Sequence, residues 1–556
     1  MRTLSDLRRN AGRLPRDLLA GRFPRRLAAR RRAARDRVTP PTLRRRASRL
    51  AARAWYGHRG FVVVLGVAAL IRLVAMIGYQ PALFFNDSYD YVHVAVRPHP
   101  HPLRPDGYAF LLLILRPFHS FALVTAVQHL MGLAMGAMIY ALVRRRFRLP
   151  RWGATLAAVP VLFDAYQIQL EHLVLSDTMF TFLAVSAVFL LLWHDTLTWR
   201  LSAALGLLAG LAWLTRSVGL LVLLGLLGFM LLRRADRRMI MVMLAAAVLP
   251  VIAYMGWYKV DHGKFAMTES NGIFLYARVY KFADCHKIKN LPVEEMPLCT
   301  ELANRLPNSQ DGIWNAGSPL ARYTGKKFSP ETNDTANDFA KRVIIAQPDD
   351  YGRVVAKDFL RVFAWERTVF PDQATYQQYE FGTRTSDMPK WMQGRTVDEA
   401  VRYENGRVRP HAVEPFAGFL RVYQDIFYLR GTMVGVLLLI GLAGIGAAWR
   451  PWRSWRRGGP AAGVNRDGAA ALLPWSLATG LLLAPAATAE FDYRYVLPAV
   501  PLACVAAAIA CSPDVRDRLR GLRRPRRPEP TPAPAGPAGP QPDDTGGGLP
   551  GRVLVP

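Results

Sequence analysis

The sequence predicts a mainly α, polytopic membrane helix bundle of about ten spans, with a mixed extracytoplasmic domain between spans seven and eight. Three observations lead there. The 556 residues are 51% hydrophobic yet carry a formal net charge of +31, which suits a membrane protein with a basic inner face better than a soluble enzyme. Apolar runs of near-spanning length recur along the chain. Basic clusters fall in alternate connections between those runs.

The runs lie at about 61–78, 120–143, 152–170, 173–193, 201–214, 218–232, 238–257, 431–449, 469–487 and 495–511. Taken as one helix, 201–232 would be about 48 Å long, against a hydrocarbon core of about 30 Å. Thr215-Arg216-Ser217 sits at its midpoint, so two short spans joined by a polar turn fit better, with Arg216 at the membrane edge. Arg144-Arg145-Arg146-Phe147-Arg148, Arg233-Arg234-Ala235-Asp236-Arg237-Arg238 and the arginine-rich stretch from Arg450 to Arg457 mark cytoplasmic connections, which puts both termini inside. The other face then receives loop 79–119, the turn near 164–172, the Arg216 turn, segment 258–430 and Glu490-Phe491-Asp492-Tyr493-Arg494. Every conspicuous carboxylate–aromatic cluster lands on that face, although only alternation and charge bias set the orientation.

The same pass gives the domain limits. Residues 1–60 hold 19 arginines and three acidic residues, a basic cytoplasmic extension too long and too polar for a secretory signal. Aromatic residues are sparse there and no nucleic-acid fold follows, so no nucleic-acid partner is expected. Residues 61–257 are spans 1–7 with the first external loop 79–119; 258–430 is the extracytoplasmic domain, near neutral with 24 basic and 22 acidic residues; 431–511 are spans 8–10. Residues 512–556 form a Pro/Gly-rich tail expected to be disordered in the cytoplasm. Cys285 and Cys299, 14 apart, are a candidate disulfide worth about 3 kcal/mol if the segment is external, the alternative being two free thiols. Cys504 and Cys511 read as packing residues on the last helix.

Chemistry concentrates in Phe84-Phe85-Asn86-Asp87-Ser88-Tyr89-Asp90-Tyr91, with Arg104-Pro105-Asp106-Gly107-Tyr108 following. Two short interfacial helices, Asp90 to Val96 and Tyr108 to Leu115, would hold this loop at the bilayer surface. Asp87 has two readings, a general base on an acceptor hydroxyl or amine, or the N-cap of the next helix, and spacing does not separate them. Asp90 lies one turn on. Glu171 and Asp177 open span four, where carboxylates either meet solvent or contact a hydroxyl-rich substrate. Arg104, Arg216, Arg494 and the intramembrane Arg72 could grip phosphate with their guanidinium forks, or serve as snorkelling and structural cations. His93, His99, His101, His129 and His172 are scattered and lack zinc-site spacing.

In this order and on one face, these features resemble the C-superfamily of membrane glycosyltransferases, close to the protein mannosyltransferase and aminoarabinose transferase branch (family 39-like, actinobacterial in type). The resemblance covers roughly 60–260 and 428–511. It is carried by Asp87-Ser88, Arg104 to Tyr108, Gln128-His129, Glu171 to Asp177, Arg216 and Asp492-Tyr493-Arg494-Tyr495-Val496-Leu497-Pro498. It implies a polyprenyl-phosphate sugar donor, inverting transfer and Asp87 as catalytic base, with Asp90, Arg104, Tyr108, Glu171, Asp177, Arg216 and Arg494 binding substrate. No cofactor is implied, and a divalent metal is left open. Protein mannosyltransferases usually show an adjacent Asp-Glu pair in this loop, whereas here Asn86-Asp87 stands with Asp90 nearby. That departure argues against a protein acceptor, and the expected acceptor is an extracytoplasmic glycan, lipid or protein. The expected setting is a bacterial plasma membrane, with membrane lipid as a partner. A flippase for lipid-linked sugars and a non-catalytic cell-wall-binding scaffold are the alternatives. Neither the inverted repeats nor the midplane helix breaks of transporters are visible in the sequence.

Overall fold

The computed structural model describes residues 43–300, 308–323, 327–383, 395–456 and 469–517. The expectations for residues 1–42 of the basic extension and for the tail after 517 lie outside the described residues. The protein is a mainly helical, multi-pass membrane bundle, and each of the ten apolar runs lies on helix. Among the described residues, five helices are long and apolar enough to cross a bilayer: Gly57–Gly78, Phe121–Arg145, Ser176–Trp193, Arg237–His262 and Tyr493–Ala510. A sixth arises if Phe416–Ile426 and Gly431–Ala447, bent by 54°, form one span.

The other four runs are on shorter helices, each for a visible reason. Run 152–170 breaks where the Asp164 carboxylate accepts from the Tyr166 backbone N–H, ending Arg151–Phe163 and starting Ala165–His172. Run 201–232 divides at Arg216 into Trp199–Thr215 and Leu220–Leu232, joined by a 3₁₀ turn over Ser217–Gly219. These helices, of 17 and 13 residues, are about 26 and 20 Å long. Leu472–Thr488 likewise has 17 residues.

Segment 258–430 departs from expectation. Expected to be mixed, it is almost wholly helical; its only strand among the described residues is His411–Ala412. Its amphipathic helices Asn271–Tyr280 and Pro330–Ala346 pack a small core of Ile273, Tyr276, Phe339 and Val343. Cys285 and Cys299 are disulfide-bonded beside that core, whereas Cys504 is buried and Cys511 is exposed at the end of its helix, outside any packing role. The segment is also no separate lobe. His411–Ala412 pairs antiparallel with Tyr79–Gln80 of the first loop. Tyr379, Phe381, Ala400 and Tyr403 join Phe84, Phe85 and Tyr89 in one buried cluster. Glu399 holds His93 at 2.7 Å, and Glu404 accepts from the Phe121 N–H at 2.7 Å. First loop and later segment thus close over each other at one end of the bundle, where the Arg216 turn and residues 490–495 also lie.

Candidate active site

The first loop is held down from beneath. Helix Gly107–Leu115 reaches the end of Trp199–Thr215 so closely that a Cβ at Gly107 would stand 2.6 Å from the Leu214 carbonyl. Only glycine permits that approach. Asp106, fully buried, accepts from the His101 N–H at 2.9 Å and the Tyr254 hydroxyl at 3.0 Å, folding the histidine- and proline-rich stretch back over helix Arg237–His262. Burial pushes the Asp106 carboxyl up to about 7.

Asp87 occupies the position before helix Ser88–Val96, but its side chain makes no capping bond. The N-cap reading therefore falls. Its Oδ2 accepts from Arg104 Nη1 and from Arg494 Nη1, both at 2.7 Å. Arg104 also meets Asp90 at 3.2 Å, and His101 Nε2 approaches Asp90 at 3.6 Å. Burial opposes charge on Asp87, yet Arg104 and Arg494 together outweigh it and hold the carboxyl below the usual carboxylate range. On Asp90 burial dominates, with Asp87 adding and Arg104 opposing, so its carboxyl rises to about 6. Burial, then the charge on Arg104, pushes His101 down to about 3, so it is neutral at physiological pH.

Arg494 arrives from the other end of the sequence. Asp492 holds its Nε at 3.2 Å, and Tyr379 in turn donates to Asp492 at 2.6 Å. The guanidinium lies 4.6 Å over Phe85 and 5.2 Å over Tyr495. Arg216 stacks on the same Tyr495 ring at 5.1 Å while paired with buried Asp177. Asp87, Asp90, Arg104, Asp177, Arg216, Asp492 and Arg494 therefore converge, with five arginine and carboxylate pairs arranged around Phe85 and Tyr495.

Two residues expected to touch substrate are not brought there. Glu171 is wholly buried in a separate network, accepting from Arg72 Nε at 2.7 Å, Arg72 Nη2 at 3.0 Å and Gln167 at 3.1 Å, with His129 at 3.0 Å. Both its oxygens are used, and Arg72 is thereby a structural cation rather than a phosphate contact. Tyr108 is fully buried, donates to Gln128 at 2.7 Å and packs edge-on against Tyr91, the ring under Arg104. It supports the site from below. The residues sequence reasoning missed are Asp492 and Tyr379. Asp492 was signalled by the Asp-x-Arg spacing ahead of the last span. Tyr379 lies in a segment with no pattern to mark it. Among the described residues no group of three or more metal-ligating side chains occurs.

Residues 101–257 match the family model of dolichyl-phosphate-mannose-protein mannosyltransferase. No curated protein matches the chain. Among solved structures, the oligosaccharyltransferase AglB of Archaeoglobus fulgidus, in complex with an inhibitory peptide and a dolichol-phosphate, is 17% identical, with 84% of this chain and 52% of that one covered at a TM-score of 0.36. ArnT of Cupriavidus metallidurans bound to undecaprenyl phosphate is 14% identical, with 84% and 78% covered at a TM-score of 0.31. The chain spans about half the length of the AglB structures it matches. The stretch from 101 to 257, which contributes Arg104, Asp177 and Arg216 to the cluster, is thus the part of this membrane protein that is similar to the dolichyl-phosphate-mannose-protein mannosyltransferases.

Proposed function

We propose that the chain moves a sugar from a polyprenyl-phosphate donor to a hydroxyl or amine of an extracytoplasmic glycan, lipid or protein. The cluster would face the outside of a bacterial plasma membrane, with both termini in the cytoplasm. The observation that supports this most is the Asp87 carboxylate held at 2.7 Å by two arginines from opposite ends of the chain. A carboxylate so placed occupies the position of an anionic ligand. A donor phosphate entering the cluster competes for the same N–H groups, which suit it better because guanidinium forks match phosphate oxygens. As Arg104 and Arg494 turn to the phosphate, Asp87 loses the charges that suppress its basicity.

The step itself is a displacement at the anomeric carbon. The acceptor oxygen or nitrogen attacks opposite the phosphate, its proton passes to the carboxylate, and the bond from carbon to phosphate oxygen breaks. Configuration inverts. The lipid phosphate leaves as an anion and needs electrostatic stabilisation rather than a protonating acid, which Arg104, Arg216 and Arg494 supply. One observation favours a second assignment of the base: Asp90, raised to about 6, is the better-matched proton acceptor before donor binds. Transfer from a panel of radiolabelled polyprenyl-phosphate sugars, with Asp87→Asn and Asp90→Asn side by side, tests both. Wild-type turnover in Asp87→Asn would remove Asp87 from the mechanism.

A further inference from the structure

Beside this cluster, three arginines leave their N–H groups unused. Arg361, Arg367 and Arg430 are half-buried, and among the described residues none makes a side-chain ion pair or hydrogen bond; Arg361 Nε is buried without a partner. Each lies on aromatic rings instead. Arg361 stands 3.8 Å over Phe370, Arg367 stands 3.5 Å over Tyr166 and 4.9 Å over Tyr493, and Arg430 stands 4.5 Å over Tyr428. The rings adjoin, with Tyr166 and Tyr428 centred 5.6 Å apart and Phe491 centred 5.7 Å from Phe370 and 4.9 Å from Tyr493, so the three cations share one band. Buried Asp164, the acid whose charge acts on Arg367, is committed to the backbone N–H groups of Tyr166 and Leu429.

Stacking engages the face of a guanidinium and leaves its in-plane donors directed outward. Arg361 Nε is removed from water and needs an acceptor, and phosphate matches the guanidinium fork of all three. Depth narrows the source. Arg430 immediately precedes the helix Gly431–Ala447, and Tyr493 opens the span Tyr493–Ala510. Trp365 and Val369, 54% and 50% exposed on the same segment, offer apolar contact to acyl chains.

We infer that Arg361, Arg367 and Arg430 form a second phosphate site, on the rim of the bundle, that docks the phosphate of a membrane lipid. Tyr493 turns toward this rim while its neighbours Asp492 and Arg494 turn toward the Asp87 cluster, so the two sites are back to back along one stretch of chain. The assignment does not depend on sugar transfer, since it is read from lipid binding.

Native mass spectrometry of the purified full chain tests it. Four probes are added separately: phosphatidylglycerol, polyprenyl phosphate, diacylglycerol and inorganic phosphate. Wild type should retain a phospholipid or a second equivalent of polyprenyl phosphate. Arg367→Gln/Arg430→Gln should retain it at least about tenfold more weakly, and Arg353→Gln, an exposed control, as wild type. Retention of phosphatidylglycerol identifies bulk lipid as the occupant, and retention of polyprenyl phosphate alone identifies the carrier lipid. Unchanged retention in the double variant overturns the site, as does equal retention of diacylglycerol or equal binding of inorganic phosphate. Should the double variant not fold, Arg430→Gln and the salt dependence of wild type decide. Retention that does not fall between about 0.05 and 0.5 M salt overturns it equally.

Discussion

At the residue scale, the two acids of the first loop titrate in opposite senses, and this makes them separable. Asp87 is shifted down from an ordinary 3.8, so its pairing stabilises the fold above that pH and is lost as pH falls. Asp90 is shifted up to about 6, so the native state holds the extra proton and its contribution declines as pH rises from about 4 to about 6. For turnover, an acid limb in kcat/KM near pH 6 that disappears in Asp90→Asn assigns the base to Asp90. A profile flat from about pH 5 to 8 assigns it to Asp87. Asp87→Asn should cost about 10²–10⁴ in kcat, the usual worth of a positioned base. Arg216→Ala and Arg494→Ala should each weaken donor binding by about 1.5–3 kcal/mol, read by equilibrium binding, and lysine should restore only part because the fork is lost. Stacked on one tyrosine, the two should be less than additive together.

At the scale of elements, the segment around Tyr379 acts as a strut between the later segment and the reacting end. It stacks on Phe85 with ring centroids 5.4 Å apart and donates to Asp492, which in turn aims Arg494. Tyr379→Phe keeps the stacking and removes one donor from a buried carboxylate, so kcat should fall by about tenfold or more and unfolding stability by about 1–3 kcal/mol. Gly132 makes the opposite case. A Cβ there would stand 1.9 Å from Glu171 Oε1, so Gly132→Ala should disrupt the Arg72–Glu171 pair and cost about 3 kcal/mol or more in unfolding measurements. Elements with periodic composition were legible in the sequence. The apolar runs, the break at Arg216 and the two first-loop helices all follow from hydropathy, charge and turn residues. Arg104, Arg216 and Arg494 were legible because a charge beside an apolar run stands out. The burial of Glu171 was not, since a carboxylate at a helix end looks the same whether water or Arg72 faces it. Tyr379 was not either, because its role comes from a contact made 113 residues away with Asp492.

At the scale of the whole molecule, sidedness is the outstanding question, and single cysteines answer it. Gly312, a natural labelling position by sequence, is buried against Tyr280. Gly458, its inner counterpart by sequence, lies outside the described residues. Ile345, 80% exposed on helix Pro330–Ala346, and Trp152, 73% exposed at the opposite end of the bundle, serve instead. In a Cys511→Ser background, Ile345→Cys should react with a membrane-impermeant thiol reagent added outside, and Trp152→Cys only after permeabilisation. Labelling in the reverse order inverts the bundle, and the extracytoplasmic assignment of the cluster falls with it.

The pair between Asp87 and Arg494 spans 407 residues. At synthesis rates of about 5–20 residues per second, roughly 20 to 80 s pass between the emergence of the first partner and the second. Over that interval the nascent first loop has Arg104 but not Arg494, and the Tyr379 strut that aims it arrives only in the last third. A ribosome stalled anywhere before the last span leaves a chain with its acids in place and no complete grip on an anion. On the proposed function, chain order then acts as quality control: a product cut short would lack the full grip on phosphate, which is completed only when the final helix inserts.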